Sequence, residues 1–218
     1  CRAQIGFRRG SAEGPVGGEA GGHPPEALVS TLVLTRAVVR AMDGRLPVIA
    51  SGGFATGASL VAALALGAQG IHCGTAFLAT VESFAHDDHK ARVLSALAED
   101  TVHTDIYALN WPPNTPVRVI RNSVIEGLGP NLMGHRPDLL PREVIATEDG
   151  RPLLRYSTDS PLRTTTGNLE AMAIYAGQSV SLIDTLPTAT GKRASPVARK
   201  VSASMPPSRK RPSSTAWP

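Results

Sequence analysis

The chain has 218 residues, 42% of them hydrophobic and 4% aromatic, enough for one globular core. Its formal charge of +4 is set by the tail: beyond Gly191 there are seven basic residues and no acid, and removing them from 22 leaves 15 against 18 acidic residues, a balance of −3. The composition therefore excludes a nucleic-acid-binding body, no apolar run reaches the roughly 20 residues of a membrane span, and two cysteines cannot build a disulfide framework, so a reducing cytoplasm is expected.

The chain opens on Cys1 rather than a methionine, which suggests a fragment or a displaced gene start, and no signal-peptide pattern follows. In residues 1–16, Ala3-Gln4-Ile5-Gly6-Phe7 is compatible with a short strand before a glycine-rich link. Pro24-Pro25 precede the run EALVSTLVLTRAVVRAM, closed by Asp43-Gly44, which predicts a helix with apolar residues around much of its circumference, hence a well-buried one. Pro47-Val48-Ile49-Ala50-Ser51, bounded by Gly52-Gly53, reads as a buried parallel strand with Ile49 inside. ASLVAALAL at 58–66 is a short helix stopped by Gly67. Gly70-Ile71-His72-Cys73 is a second strand with Ile71 inside, ending at Gly74-Thr75, and a further helix is expected over much of residues 83–98. This alternation is that of a parallel α/β protein.

From residue 100 the character changes to prolines and polar turns, such as Trp111-Pro112-Pro113-Asn114 and Asp149-Gly150-Arg151-Pro152. Residues 118–122 read as extended, NLEAMAIYAGQ at 168–178 as a helix, and the Pro-, Ser- and Lys/Arg-rich stretch from 187 as disordered.

Two strand ends carry chemistry. Ser51-Gly52-Gly53 and Gly74-Thr75 would lie on one face of a parallel sheet. There, bare backbone N–H groups and a helix N-terminus can meet a phosphate, and the Thr75 hydroxyl adds a donor. Glu19-Ala20-Gly21-Gly22-His23 sits one helix earlier, at the end of a preceding strand. From spacing alone His23 is a loop histidine, which could also act as a general base near neutral pH.

EAGGH, followed by PVIASGGFATGASLVAALALGAQGIHCGTAFLATVESFAH and Arg118-Val119-Ile120-Arg121-Asn122, resembles the nitronate monooxygenase family from about residue 17 to 122. The resemblance implies a TIM barrel binding FMN at its carboxyl face, with a smaller helical domain after it. By position it implies His23 as catalytic base, Gly52, Gly53, Gly74 and Thr75 as FMN-phosphate contacts, and Ser51 and Gly22 beside the flavin, with no metal. The implied reaction is oxidation of a nitronate, or of a nitroalkane deprotonated at its α-carbon, by oxygen to a carbonyl compound and nitrite. Val16-Gly17 stand where the family carries Gln-Gly, so no contact from that glutamine is expected.

The expected fold is thus α/β, an incomplete TIM (β/α)8 barrel followed by a small mixed or helical region and a disordered tail. Its expected parts are a divergent remnant at 1–16, part of the FMN-binding barrel at 17–122, an extension at 123–186 and a basic tail at 187–218. Only three strand-and-helix units are countable where the barrel has eight, so a requirement for a missing N-terminal half is expected. The partners expected are a small-molecule substrate and oxygen, neither nucleic acid nor membrane. Alternatives are an NAD(P)H-dependent FMN reductase of the same superfamily (quinone or enoyl-acyl-carrier-protein reductase) and an inactive fragment. His86 and His89, three apart, suit either one metal-facing helix face or a structural role. His72 and Cys73 read as packing, and His103 and His135 have no context.

Overall fold

The computed structural model describes residues 29–112 and 115–190. Its first half is a right-alternating helix and strand series: α1 (Thr31–Met42), β1 (Ile49–Ser51), α2 (Gly57–Ala65) and β2 (Gly70–His72), then a short α3 (Thr75–Leu78) and α4 (Asp87–Ser95). α1 starts where the Ser30 hydroxyl accepts from Val33 N–H. It ends where Asp43 turns left-handed at φ 47° and the Arg45 guanidinium donates to the carbonyls of Ala41 and Met42. α2 opens on a reciprocal cap between Thr56 and Ser59 and stops at Gly67, φ 93°. A Cβ on Gly67 would lie 2.7 Å from Val39 Cγ1, so glycine there allows α2 to close on α1.

β1 and β2 pair in parallel, Ile49 opposite Gly70 and Ser51 opposite His72. The Gln69 side chain begins the ladder by accepting from Val48 N–H at 2.6 Å. Both helices cover one face of this pair, where Val38, Val48, Ala50, Ala63 and Ala68 form a core with Ile71 packed against it. Side chains alternate across a strand, so Ile49, Ser51 and His72 project to the other face. Among the described residues no element packs on that face: Ile49 is 41% exposed, against the expectation that it is buried. α1 also departs from expectation, burying only Thr31, Thr35 and Val38 and leaving Leu32 and Val33 exposed, because among the described residues it has a neighbour on one side alone.

The second half is antiparallel. β3 (Thr101–Thr104) pairs with β4 (Val117–Ile120), and β5 (Val144–Glu148) lies between β6 (Arg151–Leu154) and β7 (Thr165–Gly167). Asp149 and Gly150, both at positive φ, make the tight β5–β6 turn, and Pro152 is tolerated because β6 is an edge. α5 (Ser123–Leu128) follows β4. Tyr107, Val119, Ile125, Leu153 and Met172 share one core, so residues on both sides of position 122 pack together.

Of two expected helices one forms and one does not. Over 83–98 the helix is Asp87–Ser95. Residues 84–86 instead run extended against 161–163, with His86 N–H donating to the Pro161 carbonyl and Arg163 N–H to that of Phe84. The 168–178 segment is not a helix: one 3-10 turn at Leu169–Ala171 precedes an extended stretch. Ile120 N–H donates to the Ile174 carbonyl and Ala176 N–H to that of Arg118, so β4 captures residues 174–176 as a strand-like edge. The extension is accordingly mixed: α5 and short 3-10 turns with the three strands β5, β6 and β7. Residues 187 and 189 are tied back, the Pro187 carbonyl accepting from Val81 N–H and Ala189 N–H donating to Glu82. The basic stretch from 191 lies outside the described residues.

Candidate functional site

Parallel, in-register pairing sends both chains out of the sheet at the same end: Ser51 is opposite His72, and Gly52-Gly53 and Cys73-Gly74-Thr75 follow directly. The first exit requires glycine, since Gly52 and Gly53 adopt φ 107° and 76°, a region that side chains with a Cβ rarely enter. Gly74 differs. Its φ of −85° suits any residue and a Cβ there would meet nothing within 4 Å, so neither backbone nor packing demands glycine and space stands open before it.

Thr75, the first residue of α3, accepts a 2.8 Å hydrogen bond at Oγ1 from Gly177 N–H. A hydroxyl that accepts still has its own proton to donate. On the face that carries Ile49, Ser51 Oγ and His72 Nδ1 are 3.3 Å apart, joining the two strands near the same end. The structure thus brings together Ser51, Gly52, Gly53, Gly74 and Thr75. Gly22 and His23 lie outside the described residues.

The opposite face of β2 borders a cleft of about 370 Å³, lined among others by Thr56, Gly57, Ile71, Cys73, Phe77 and Asp184. Ile71 and Cys73 point there because they alternate with His72. The cleft is therefore on the helix-bearing side and does not include the glycine turns.

The other histidines have structural partners. His86 caps α4, its Nδ1 accepting from Asp88 N–H. His89 is buried in the same helix with Nε2 2.9 Å from the Tyr175 carbonyl, and burial holds its pKa below the ordinary value. Among the described residues no three His, Cys, Asp or Glu side chains gather as a metal site. His135 acquires a context that the sequence did not offer. Its Nδ1 is 2.7 Å from buried Asp105, whose carboxylate also accepts from the N–H groups of Gly134 and His135. Thirty residues separate that pair and no motif links them. Gly177 was equally invisible, 102 residues from Thr75.

Helices backing a parallel strand pair whose glycine-turn ends converge are the arrangement found at the carboxyl end of α/β barrel-type proteins. Comparison with known proteins makes this specific. The nitronate monooxygenase family model matches residues 15–191, and the chain belongs to that family. It is 34% identical over 178 residues to a nitronate monooxygenase of Paraburkholderia phytofirmans, covering 78% of this chain and 44% of that one. It is 32% identical over 199 residues to a Mycobacterium tuberculosis (3aS,4S,5R,7aS)-5-hydroxy-7a-methyl-1-oxo-octahydro-1H-indene-4-carboxyl-CoA dehydrogenase, covering 79% and 54%. Nitroalkane oxidase of Streptomyces ansochromogenes superposes with a TM-score of 0.56 at 32% identity, covering 78% of this chain and 46% of its own. FabK of Thermotoga maritima gives 0.53 at 28%, covering 79% and 48%. The chain spans about half the length of the curated relatives it matches. The family and these neighbours imply a TIM-barrel-like α/β fold, with which the parallel β1–β2 pair and its helices agree.

Proposed function

We propose that this chain contributes the phosphate end of an FMN site in a flavin-dependent nitronate monooxygenase. The observation that carries the reading is the in-register β1–β2 pairing, which delivers two glycine turns to one end with open space at Gly74. In this reading the backbone at Gly52, Gly53 and Gly74 approaches the phosphate closely and the Thr75 hydroxyl donates to it. Ser51 and Gly22 border the flavin. His23 takes the α-proton of a neutral nitroalkane, a role for an imidazole near its ordinary pKa. FMN supplies the electron-accepting chemistry when bound, and the protein supplies position and a proton acceptor. The partners are a nitronate or nitroalkane and oxygen, in a reducing cytoplasm. Strands beyond β1 and β2, such as those in the remaining half of the longer relatives, would cover Ile49 and complete the barrel wall.

The dehydrogenase among the relatives favours a second reading, a flavin enzyme that exchanges electrons with NAD(P)H. Anaerobic titration of the FMN-loaded protein separates the two. Bleaching of the flavin band by propionate 3-nitronate, with none by NADPH or NADH, supports the monooxygenase, and the reverse pattern replaces it with the reductase.

A further inference from the structure

The segment 172–178 has no part in the reading above, yet it touches the glycine end directly. We infer that Gly177 is a positioning residue for the phosphate end: its N–H holds the Thr75 hydroxyl so that the hydroxyl proton is left for the ligand. This rests on the FMN reading and deepens it.

The hydrogen bond is 2.8 Å long and occupies an acceptor lone pair of Thr75 Oγ1. The hydroxyl rotor then keeps its proton for a group in the open space beside Gly74. The donor is itself fixed. Ala176 N–H donates to Arg118 and Ile120 N–H to Ile174, so residues 174–176 are pinned on β4. The Tyr175 hydroxyl donates to the Thr158 carbonyl, and His89 holds the Tyr175 carbonyl from the other side. Beyond Gly177, a 3-10 turn (Gln178–Leu182) brings Val180 into one core with Ala76 and Ala79, so the α3 backbone rests on the same segment. A free threonine hydroxyl would sample several rotamers, whereas one locked before the ligand arrives loses less entropy on binding.

Gly177 sits at φ −84° and ψ 170°, a conformation open to proline, which lacks the N–H. Gly177→Pro thus deletes the donor and keeps the chain path, whereas Gly177→Ala keeps both. The test measures dissociation constants of FMN and of riboflavin, which has no phosphate, by flavin fluorescence on the full chain.

Gly177→Pro is expected to weaken FMN about tenfold, the scale of one hydrogen bond to a charged group, with riboflavin unchanged. Gly177→Ala is expected to restore FMN binding. Thr75→Val should match Gly177→Pro, Thr75→Ser should not, and the double variant Thr75→Val with Gly177→Pro should be no weaker than either single one. The Thr75 pair keeps the test decisive if Gly177→Pro does not fold. Wild-type FMN affinity in Gly177→Pro, equal losses for FMN and riboflavin, or additive losses in the double variant would each overturn the positioning role alone. A wild-type chain that binds neither flavin overturns the FMN reading and this inference with it.

Discussion

Tyr107 and Asn122 exchange two hydrogen bonds at the centre of the second core. The tyrosine hydroxyl donates to Asn122 Oδ1 at 3.0 Å and accepts from its Nδ2 at 2.8 Å. The same amide donates to the Met172 carbonyl and accepts from Ile125 N–H, capping α5. Both residues are almost wholly buried, and burial pushes the Tyr107 phenol well above its ordinary pKa, so it stays a donor. Asn122→Ala removes a helix cap and strands two buried polar groups, which predicts a loss of about 3 kcal/mol. Tyr107→Phe should cost about 1–2 kcal/mol, since Asn122 keeps its other partners. Urea unfolding midpoints with unchanged slope check both, and equal losses would contradict the hub role of Asn122.

The Asp105 carboxylate is what holds the 134–135 turn to the end of β3. Asp105→Ala should therefore free that turn while sparing the β1–β2 end. Hydrogen exchange is the measurement. Loss of protection at Gly134 and His135 amides by about tenfold or more is expected, with exchange at Ala50 and Ile71 unaltered.

Acid should loosen the contact between α4 and residue 175. His89 Nδ1 is buried without a partner, and burial lowers the folded pKa below the ordinary 6.5. The unfolded chain then binds the proton more readily, so stability falls as pH drops below about 6.5 toward the folded pKa. His89→Gln keeps a donor for the Tyr175 carbonyl but does not titrate. Its Tm should fall less between pH 7.5 and 5 than that of wild type, and parallel Tm curves would exclude His89 as the source.

With the barrel context present, His23→Ala should keep FMN bound and slow turnover of a neutral nitroalkane by roughly 10²–10⁴-fold, the span of a general base. Turnover of the preformed nitronate should fall much less, its α-proton already being gone. Equal losses on both substrates would move His23 from base to binding residue.

Leu32, Val33, Val61 and Leu64 are exposed along α1 and α2, Val61 at 65%. Such faces favour association, so the isolated chain should scatter light. Val61→Lys should reduce the scattering. A monodisperse monomer with about one FMN per chain would show that these faces need no cover.

The segment from β1 to β2 was legible because its signals are local: glycine turns after each strand, a glycine stop after the helix, and short apolar runs. Burial was less legible than identity. Ile49 and Leu32 are apolar in either environment, and what decides their exposure is whether another element faces them. The 168–178 stretch misled because its alanines, leucine and methionine suit a helix, while the edge that captures Ile174 and Ala176 belongs to β4, over 50 residues earlier. Propensity yields to a waiting hydrogen-bonding edge. At Asp149-Gly150 the sequence marked a polar turn but not the hairpin, because the strands beside it carry too few apolar residues in alternation to stand out.

The link between Thr75 and Gly177 also sets an order of events during synthesis. The glycine turns leave the ribosome before their clasp, which arrives 102 residues later, about 5–20 s at ordinary bacterial or eukaryotic elongation rates. Until then Ala76 and Ala79 lack Val180, and the edge of β4 waits for residues 174–176. The nascent chain thus carries its glycine-turn end in an unlatched form while those 102 residues are made, and a chaperone that shields apolar segments would find its target there.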